Sequence, residues 1–356
     1  MSGLVLNGRF LSQAVTGVQR FAQEVMRAAD ALAAEGAWPV TRVVAPPGTA
    51  LPLCAALKTE TAGRLRGQAW EQLDLPRALG GAWLLGLGNT APLAARGRQT
   101  VVIHDAGAFD TPESYGLAFR TWYRMLHRAL ARMGARIVTV SSFSRGRLAE
   151  RLGLDAARIA VMPEGAEHIL RDAADASVLS RHGLAPRRYV LAVGTGAAHK
   201  NLAALGAAAA MLAARGLVLA VAGRADPAVF RRAGGAAGAV ALGRVRDAEL
   251  RALYENAAAL LFPSRYEGFG LPPIEAMLCG CPVVAGRAGA VPETVGDAAL
   301  LFDPDSPAKL VEGLTRLLDD PGLAAELSAR GHARAARYTW RAAAEALRGA
   351  LPEELR

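Results

Sequence analysis

The sequence predicts an α/β protein of two domains, each a parallel sheet flanked by helices. Three observations point there. Short β-rich apolar runs alternate with helical patterns along the chain, as in parallel strands joined by right-handed crossovers. The alternation starts afresh after a polar stretch, residues 171–188, which contains Gly183 and Pro186 and reads as a linker. The length, 356 residues, suits two domains of ~100–200 residues, each with its own core.

In order, the first half is expected to place strands at 4–6, 40–44, 100–104, 137–141 and 159–162, with helices over 17–34 and 119–133. The second half repeats the scheme with strands at 189–193, 217–222, 258–262, 282–285 and 299–302. Its helices are expected over 202–215, 247–256 and 307–318. A last helix over 340–351 has no strand after it and is expected to pack back on the first domain. The domains are then 1–176, joined by the 340–356 helix, and 187–336.

Hydrophobic residues make up 52% and charged residues 21%, which excludes disorder, collagen-like repeats and a disulfide-stapled scaffold. Cys54, Cys279 and Cys281 are too few for a disulfide framework and have no partner cluster for zinc, so a reducing compartment is expected. The first ten residues lack a charged stretch followed by an apolar core. The longest uncharged apolar stretch, between Asn201 and Arg215, is shorter than the ~18 residues of a membrane-spanning helix. A cytoplasmic protein, soluble or peripheral at a membrane, is the expectation. Net charge is +9, yet only three of 41 basic residues are lysines (Lys58, Lys200 and Lys309). The Arg and Ala bias reflects coding composition, so basicity alone names no partner.

Ligands of open parallel sheets bind beyond the carboxyl ends of the strands, so residues just after strands are the candidates. The densest signal is Ser264-Arg-Tyr-Glu267-Gly268-Phe269-Gly270-Leu271-Pro272-Pro273-Ile274-Glu275. Gly268 and Gly270 let backbone approach a ligand, and the prolines suit a helix start, where amides attract anions. Carboxylates at Glu267 and Glu275 beside such a site fit a ligand with hydroxyls, such as a sugar or ribose. The plainer reading is a helix start with Glu267 in its cap region. A second segment, Val193-Gly194 through Lys200-Asn201, follows a strand and precedes a helix, with Asn201 as N-cap. Lys200 is a candidate phosphate contact, or a solvated loop lysine.

His104-Asp105 ends a first-half strand and could position a reacting group, or be a satisfied core-edge histidine with Asp105 capping the next turn. Gly17 opens the first helix and suits a phosphate, or a plain turn. Gly86-Leu-Gly88-Asn-Thr-Ala91 follows a short strand and reads as GxGxxA. Pro92 follows it and no apolar helical stripe does, so it is set aside as a loop. Arg120, Arg124, Arg128, Arg132 and Arg136 stand four apart, with Trp122, Met125, Leu126 and Leu130 as the buried stripe. They form either a solvated helix face or a surface for anionic lipid or a lipid-diphosphate acceptor. No motif supports nucleic acid binding. The six histidines are dispersed and Asp319-Asp320 reads as surface charge, so no metal is expected.

Together these residues resemble the retaining glycosyltransferases of the GT4 family, which have the GT-B fold of two Rossmann-like domains with parallel sheets facing across a cleft. The anchor is E-x7-E, Glu267 to Glu275, flanked by Phe262-Pro-Ser264, Gly280-Cys-Pro282, Gly289-Ala-Val-Pro292-Glu293 and the run from Gly296 to Asp303. The segments at Gly194 to Asn201, Ala222-Gly223 and Leu242-Gly-Arg-Val245 fall in the family's order.

The resemblance implies that Glu267 holds the donor sugar's hydroxyls and Glu275 accepts from the nucleotide ribose. Lys200 and the amides of Gly268, Phe269, Gly270 and Leu271 would neutralise the departing diphosphate. Gly17 and Gly194 would lie near the donor, His104 by the sugar and acceptor, and backbone near Val245 beside the base. The family often has an arginine shortly before the lysine. Here small residues and His199 fill that stretch, and Arg224 is the candidate substitute. No cofactor is implied beyond the co-substrate, GDP-mannose first and a UDP-sugar second. The acceptor would be an oligosaccharide or a lipid-linked sugar, in synthesis of a cell-surface polysaccharide or glycolipid. Alternatives are an epimerase or phosphorylase on the same fold, or a non-catalytic nucleotide-sugar binder.

Overall fold

Both faces of a central parallel strand are covered, so its residues run apolar without alternation. Strand β1 (Leu4–Asn7) is buried at every position. In the computed structural model, which describes residues 3–223 and 239–356, the chain forms two units. The first is Met1–Gly165 with Thr339–Arg356, and the second is Ala166–Tyr338.

In the first unit β1 is followed by β2 (Thr41–Ala45), β3 (Lys58–Thr61), β4 (Trp83–Gly86), β5 (Gln99–Val102), β6 (Arg136–Thr139) and β7 (Ile159–Val161). All pair in parallel in the order β3-β2-β1-β4-β5-β6-β7, with Leu4 opposite Thr41 on one side and Trp83 on the other. In the second unit β8 (Tyr189–Val193), β9 (Val218–Ala222), β10 (Ala239–Gly243), β11 (Ala259–Phe262), β12 (Val283–Gly286) and β13 (Leu300–Phe302) pair in parallel in the order β10-β9-β8-β11-β12-β13. Each unit has its own core, one around Val5, Val101 and Leu130, the other around Val190, Leu261 and Leu314. The two-sheet α/β architecture follows the sequence reading.

Three strands fall outside the sequence-derived series. β3 and β10 are sheet edges with few buried positions, so neither needs an apolar run. β4 is the short strand that ends at Gly86, and a loop follows it rather than a helix. Several helices also add to the series, the longest being Ser142–Leu152 and Pro321–Ala335.

The boundary falls at Gly165, upstream of the expected linker. Residues 171–188 are not free chain. The Asp175 amide donates to the Ala248 carbonyl at 2.9 Å, and Arg251 reaches the carbonyls of Leu170 (3.2 Å) and Asp172 (2.9 Å). These polar residues hydrogen-bond along the second unit's surface, so the segment belongs there. The last helix, Trp340–Gly349, packs on helix Gly17–Ala34 within the first unit. Its Trp340 ring lies edge-on to Phe21 at 5.9 Å, and Arg341 grips Glu35 with two bonds of 2.7 and 2.8 Å.

The arginine row is not one face. Helix Leu117–Arg132 ends before Arg136, which opens β6 and lies 5.9 Å from the Trp83 ring. Arg124 donates to the carbonyls of Ala108 (2.7 Å) and Phe109 (3.2 Å), and Arg128 sits 5.1 Å above the Phe109 ring. Met125, expected in the buried stripe, is 56% exposed. Among the described residues no helix is long and apolar enough to cross a membrane.

Candidate functional site

In the second unit three loops at the carboxyl ends of β8, β9 and β11 come together. Gly194 follows β8, and its amide donates to the Ala222 carbonyl at the end of β9 (3.0 Å). Gly223 follows β9 with φ +117°, and a Cβ there would overlap the Gly194 carbonyl oxygen. Val245, half-buried, lies beyond β10 and just before helix Asp247–Asn256. Arg224 lies outside the described residues.

Lys200 ends a short turn and is followed by Asn201 with φ +53°. Asn201 does not cap the next helix. Its side-chain amide donates to the carbonyls of Pro263 (3.1 Å) and Pro304 (2.8 Å). The Arg265 amide donates to the His199 carbonyl at 2.7 Å. These bonds tie the lysine loop to the loop after β11. Lys200 Nζ then stands 2.7 and 2.9 Å from the two carboxylate oxygens of Glu267. The Ser264 hydroxyl donates to Glu267 Oε1 at 2.5 Å. Gly289, with φ +59°, backs this residue: a Cβ there would lie 2.6 Å from both the nitrogen and the carbonyl oxygen of Glu267.

Helix Leu271–Leu278 starts at Gly270, which has φ +97° and no side chain to cap the amides. Prolines at its second and third positions remove two N–H groups, so Leu271 and the preceding loop amides are the donors a ligand would meet there. The Phe269 carbonyl is occupied by the Thr294 hydroxyl at 2.7 Å. One turn into the helix, Glu275 is buried. Its Oε1 lies 3.0 Å from His168 Nε2, and its Oε2 accepts from the Tyr254 hydroxyl at 3.0 Å. Burial, reinforced by the Glu275 anion, holds the Tyr254 phenol protonated. A carboxylate has about four acceptor positions, more than these two contacts use. His168 and Tyr254 carry no local motif. They stand far from Glu275 in sequence, and only the fold joins them.

The other two candidates sit in the first unit. Gly17 opens helix Gly17–Ala34, whose first turn has no side-chain cap and nothing near the glycine's open side. His104, just beyond β5, is buried and held between two acceptors of its own unit. Its Nδ1 lies 3.3 Å from Glu164 Oε1 and its Nε2 3.2 Å from the Leu87 carbonyl, with Phe21 edge-on at 4.4 Å. This is the arrangement of a core-edge histidine. Asp105 caps the next turn, accepting from the Gly107 amide at 2.6 Å. Among the described residues no three His, Cys, Asp or Glu side chains cluster as metal ligands. Burial pushes the Cys281 thiol up to about 12 and raises Cys279 too, so neither is a nucleophile at neutral pH.

A family described as glycosyl transferases group 1 matches residues 187–320. The O-antigen chain mannosyltransferase B of Escherichia coli is 34% identical over 257 residues, covering 68% of this chain and 67% of that protein. The MMP alpha-(1->4)-mannosyltransferase of Mycolicibacterium hassiacum is 44% identical over 102 residues, 28% of this chain and 25% of its own length. Among solved structures, the sucrose-phosphate synthase of Thermosynechococcus elongatus superposes with TM-score 0.75 at 20% identity, covering 97% of this chain and 96% of its own. Anabaena HepE, solved with UDP and glucose, gives TM-score 0.71 at 18% identity, covering 94% of each chain. The chain belongs to the glycosyl transferases of group 1, the GT4 type on the GT-B fold, and is a glycosyltransferase.

Proposed function

We propose that the protein transfers a hexose with retention from a nucleotide sugar, GDP-mannose first, to an oligosaccharide or lipid-linked acceptor in cell-surface polysaccharide or glycolipid synthesis. The observation that carries this reading is the pairing of Lys200 with Glu267 beside the Gly270 helix start, one turn from Glu275. The named mannosyltransferases among its relatives support the choice of sugar.

In this reading the sugar–phosphate bond breaks with negative charge on the leaving diphosphate and positive charge on the sugar. Lys200 and the amides of Phe269, Gly270 and Leu271 meet the first charge, and the Glu267 carboxylate faces the sugar. The acceptor oxygen bonds to the anomeric carbon on the face the phosphate leaves, and its proton passes to that phosphate. Gly194, Gly268 and Val245 line the donor's path, and Gly17 and His104 are kept as first-unit contributors. His104 acts through position, since both ring nitrogens already face oxygens. Lys200 and the amides supply the counter-charge without a resident metal or cofactor, so transfer continues in a chelator. A peripheral contact with anionic membrane at the cytoplasmic face rests on Arg128 and Arg132, the exposed members of the helix row.

A thermal-shift screen against GDP, UDP, ADP and their sugars tests the donor. A nucleotide at 100 times its Kd adds ~2.7 kcal/mol, a rise of roughly 5–10 °C in Tm. A rise with guanine nucleotides supports GDP-mannose. A rise with uridine nucleotides favours a UDP-hexose, the reading that HepE's bound UDP and glucose suggest. No rise with any of them removes the proposal. A second expected result concerns Glu275. Tyr254→Phe deletes one hydrogen bond that orients it, so donor KM rises about 2–10-fold while kcat holds. A fall in kcat at constant KM would place Glu275 elsewhere in the reaction.

A further inference from the structure

A cavity of about 600 Å³, within the range of small-ligand sites, lies wholly within the second unit. It opens where four strands begin. Arg187 and Arg188 precede β8, Leu217 precedes β9, Ala258 precedes β11 and Pro282 precedes β12. The loops that carry Lys200 and Glu267 follow β8 and β11 at their other ends. A strand rises ~3.3 Å per residue, so β8 alone separates the two places by about 16 Å. Helices Pro307–Asp319 and Pro321–Ala335 close the cavity's side with Leu317, Leu318 and Ala324.

Three arginines enter it, Arg187, Arg188 and Arg215, and among the described residues lining it none is acidic. Each guanidinium is held on one side by an oxygen of its own unit. Arg187 donates to the Ala257 carbonyl (2.7 Å), Arg188 to the Gly216 carbonyl (3.0 Å), and Arg215 to the two oxygens of Asp319 (2.5 and 3.3 Å). A carbonyl orients a guanidinium without cancelling its charge, and most of its N–H groups stay available. Among the described residues Asp319 is the one carboxylate ion-paired with any of the three, so two charges are uncompensated. The chain's arginine bias accounts for many exposed arginines, but not for the backbone of this one. Arg187 has φ +59°, where an L-residue is strained and glycine is not. Most described left-handed positions in the chain are glycines, and Arg187 is one of four that are not. Its amide donates to the Asn256 carbonyl at 2.7 Å, which fixes this turn beside the cavity.

Charge and size together set the class of ligand. A phosphomonoester carries about −1.5 to −2 at pH 7 and offers three acceptor oxygens, which matches the two uncompensated charges. Guanidinium forks bind such oxygens in pairs. The apolar wall leaves room for an organic part that bare phosphate lacks. We propose that this cavity is a binding site for a small soluble phosphomonoester, its phosphoryl group on Arg187, Arg188 and Arg215 and its organic part against Leu217 and Leu317. The site does not rest on the glycosyltransferase reading, since neither the Lys200 loop nor the Glu267 loop takes part.

The test is a phosphorus NMR titration of the full chain at low ionic strength, with mannose 6-phosphate as the probe. The wild type binds it, and added salt weakens it. Arg188→Gln and Arg215→Gln each weaken binding about 3–10-fold, and the double variant loses it. Arg187→Gly relieves the left-handed backbone, so Tm holds while affinity for the ester falls by a similar factor. Lys200→Ala binds the ester like the wild type. Methyl α-D-mannopyranoside does not compete, and inorganic phosphate competes only at several-fold higher concentration. If nucleotides give no thermal shift yet the ester binds through the arginines, this site stands and the donor reading falls. No binding to the wild type, full binding to the Arg188→Gln, Arg215→Gln double variant, or loss of binding in Lys200→Ala overturns the proposal. So does inorganic phosphate binding as tightly as the ester, or binding confined to phosphatidic acid vesicles.

Discussion

Lys200→Ala lowers kcat/KM by about 10–100-fold, the worth of one charge-assisted hydrogen bond of ~1.5–3 kcal/mol. Two effects act in the same direction. The ammonium that would face the leaving diphosphate is gone, so charge developing in the transition state loses a counter-charge. The Glu267 carboxylate, only 11% exposed and paired to that ammonium at 2.7 Å, is left without its cation beside an anionic ligand. The second effect weakens nucleotide binding; the first weakens turnover. They separate in a double-mutant cycle. Adding Glu267→Ala to Lys200→Ala removes the repelling carboxylate, so nucleotide affinity recovers while kcat stays low. Lys200→Arg keeps the charge but replaces a point ammonium with a planar fork, and recovers only part of the rate. Steady-state kinetics with the donor found by the nucleotide screen decide the matter. A Lys200→Ala enzyme within twofold of wild type would falsify the site assignment.

The sequence shows the interior of this fold better than its margins. Central strands must be apolar on both faces, so β1 and β8 announce themselves, and β8 is found residue for residue. β3, with the sequence KTET, and β10 sit at edges where water satisfies one side, so no apolar run marks them. The site divides the same way. Glu267 and Glu275 share one local turn and helix start, and their spacing is visible in the chain. The partners that set them are not: Lys200 is 67 residues from Glu267, and Tyr254 is 21 from Glu275. Asn201 shows why. Its position before a helix suggests a cap, but its left-handed backbone turns the amide to two distant proline carbonyls. Helix Leu117–Arg132 gives a subtler lesson. The arginine row stands out in the sequence by its four-residue spacing, while the aromatic row beside it (Tyr115, Phe119 and Tyr123) has the same spacing and lines a cavity.

Two glycines behind the site allow a sharper test than any charged residue, because the change is one methyl group. Gly223 has φ +117°, outside the regions L-residues adopt without strain, and its missing Cβ is where the Gly194 carbonyl sits. Gly223→Ala therefore carries ~1–3 kcal/mol of backbone strain and ~1–3 kcal/mol of overpacking. The relief available is to push the Gly194 loop away from the end of β9. Expected are a lower Tm for the second unit and loss of the nucleotide thermal shift. Gly289→Ala acts on the other half of the site. Its Cβ would press on the Glu267 backbone at 2.6 Å, so the carboxylate leaves Lys200 and turnover falls more than nucleotide affinity. The control is Gly146→Ala, in the interior of helix Ser142–Leu152 with nothing within 4 Å of the added carbon. There the same substitution gains ~0.5–1 kcal/mol, because alanine loses less backbone entropy in a helix. Calorimetry and nucleotide titration of the three variants read all of this. If Gly223→Ala bound nucleotide like the wild type, the β8 and β9 loops would not be where the diphosphate lies, and the donor site would have to be sought away from Gly194.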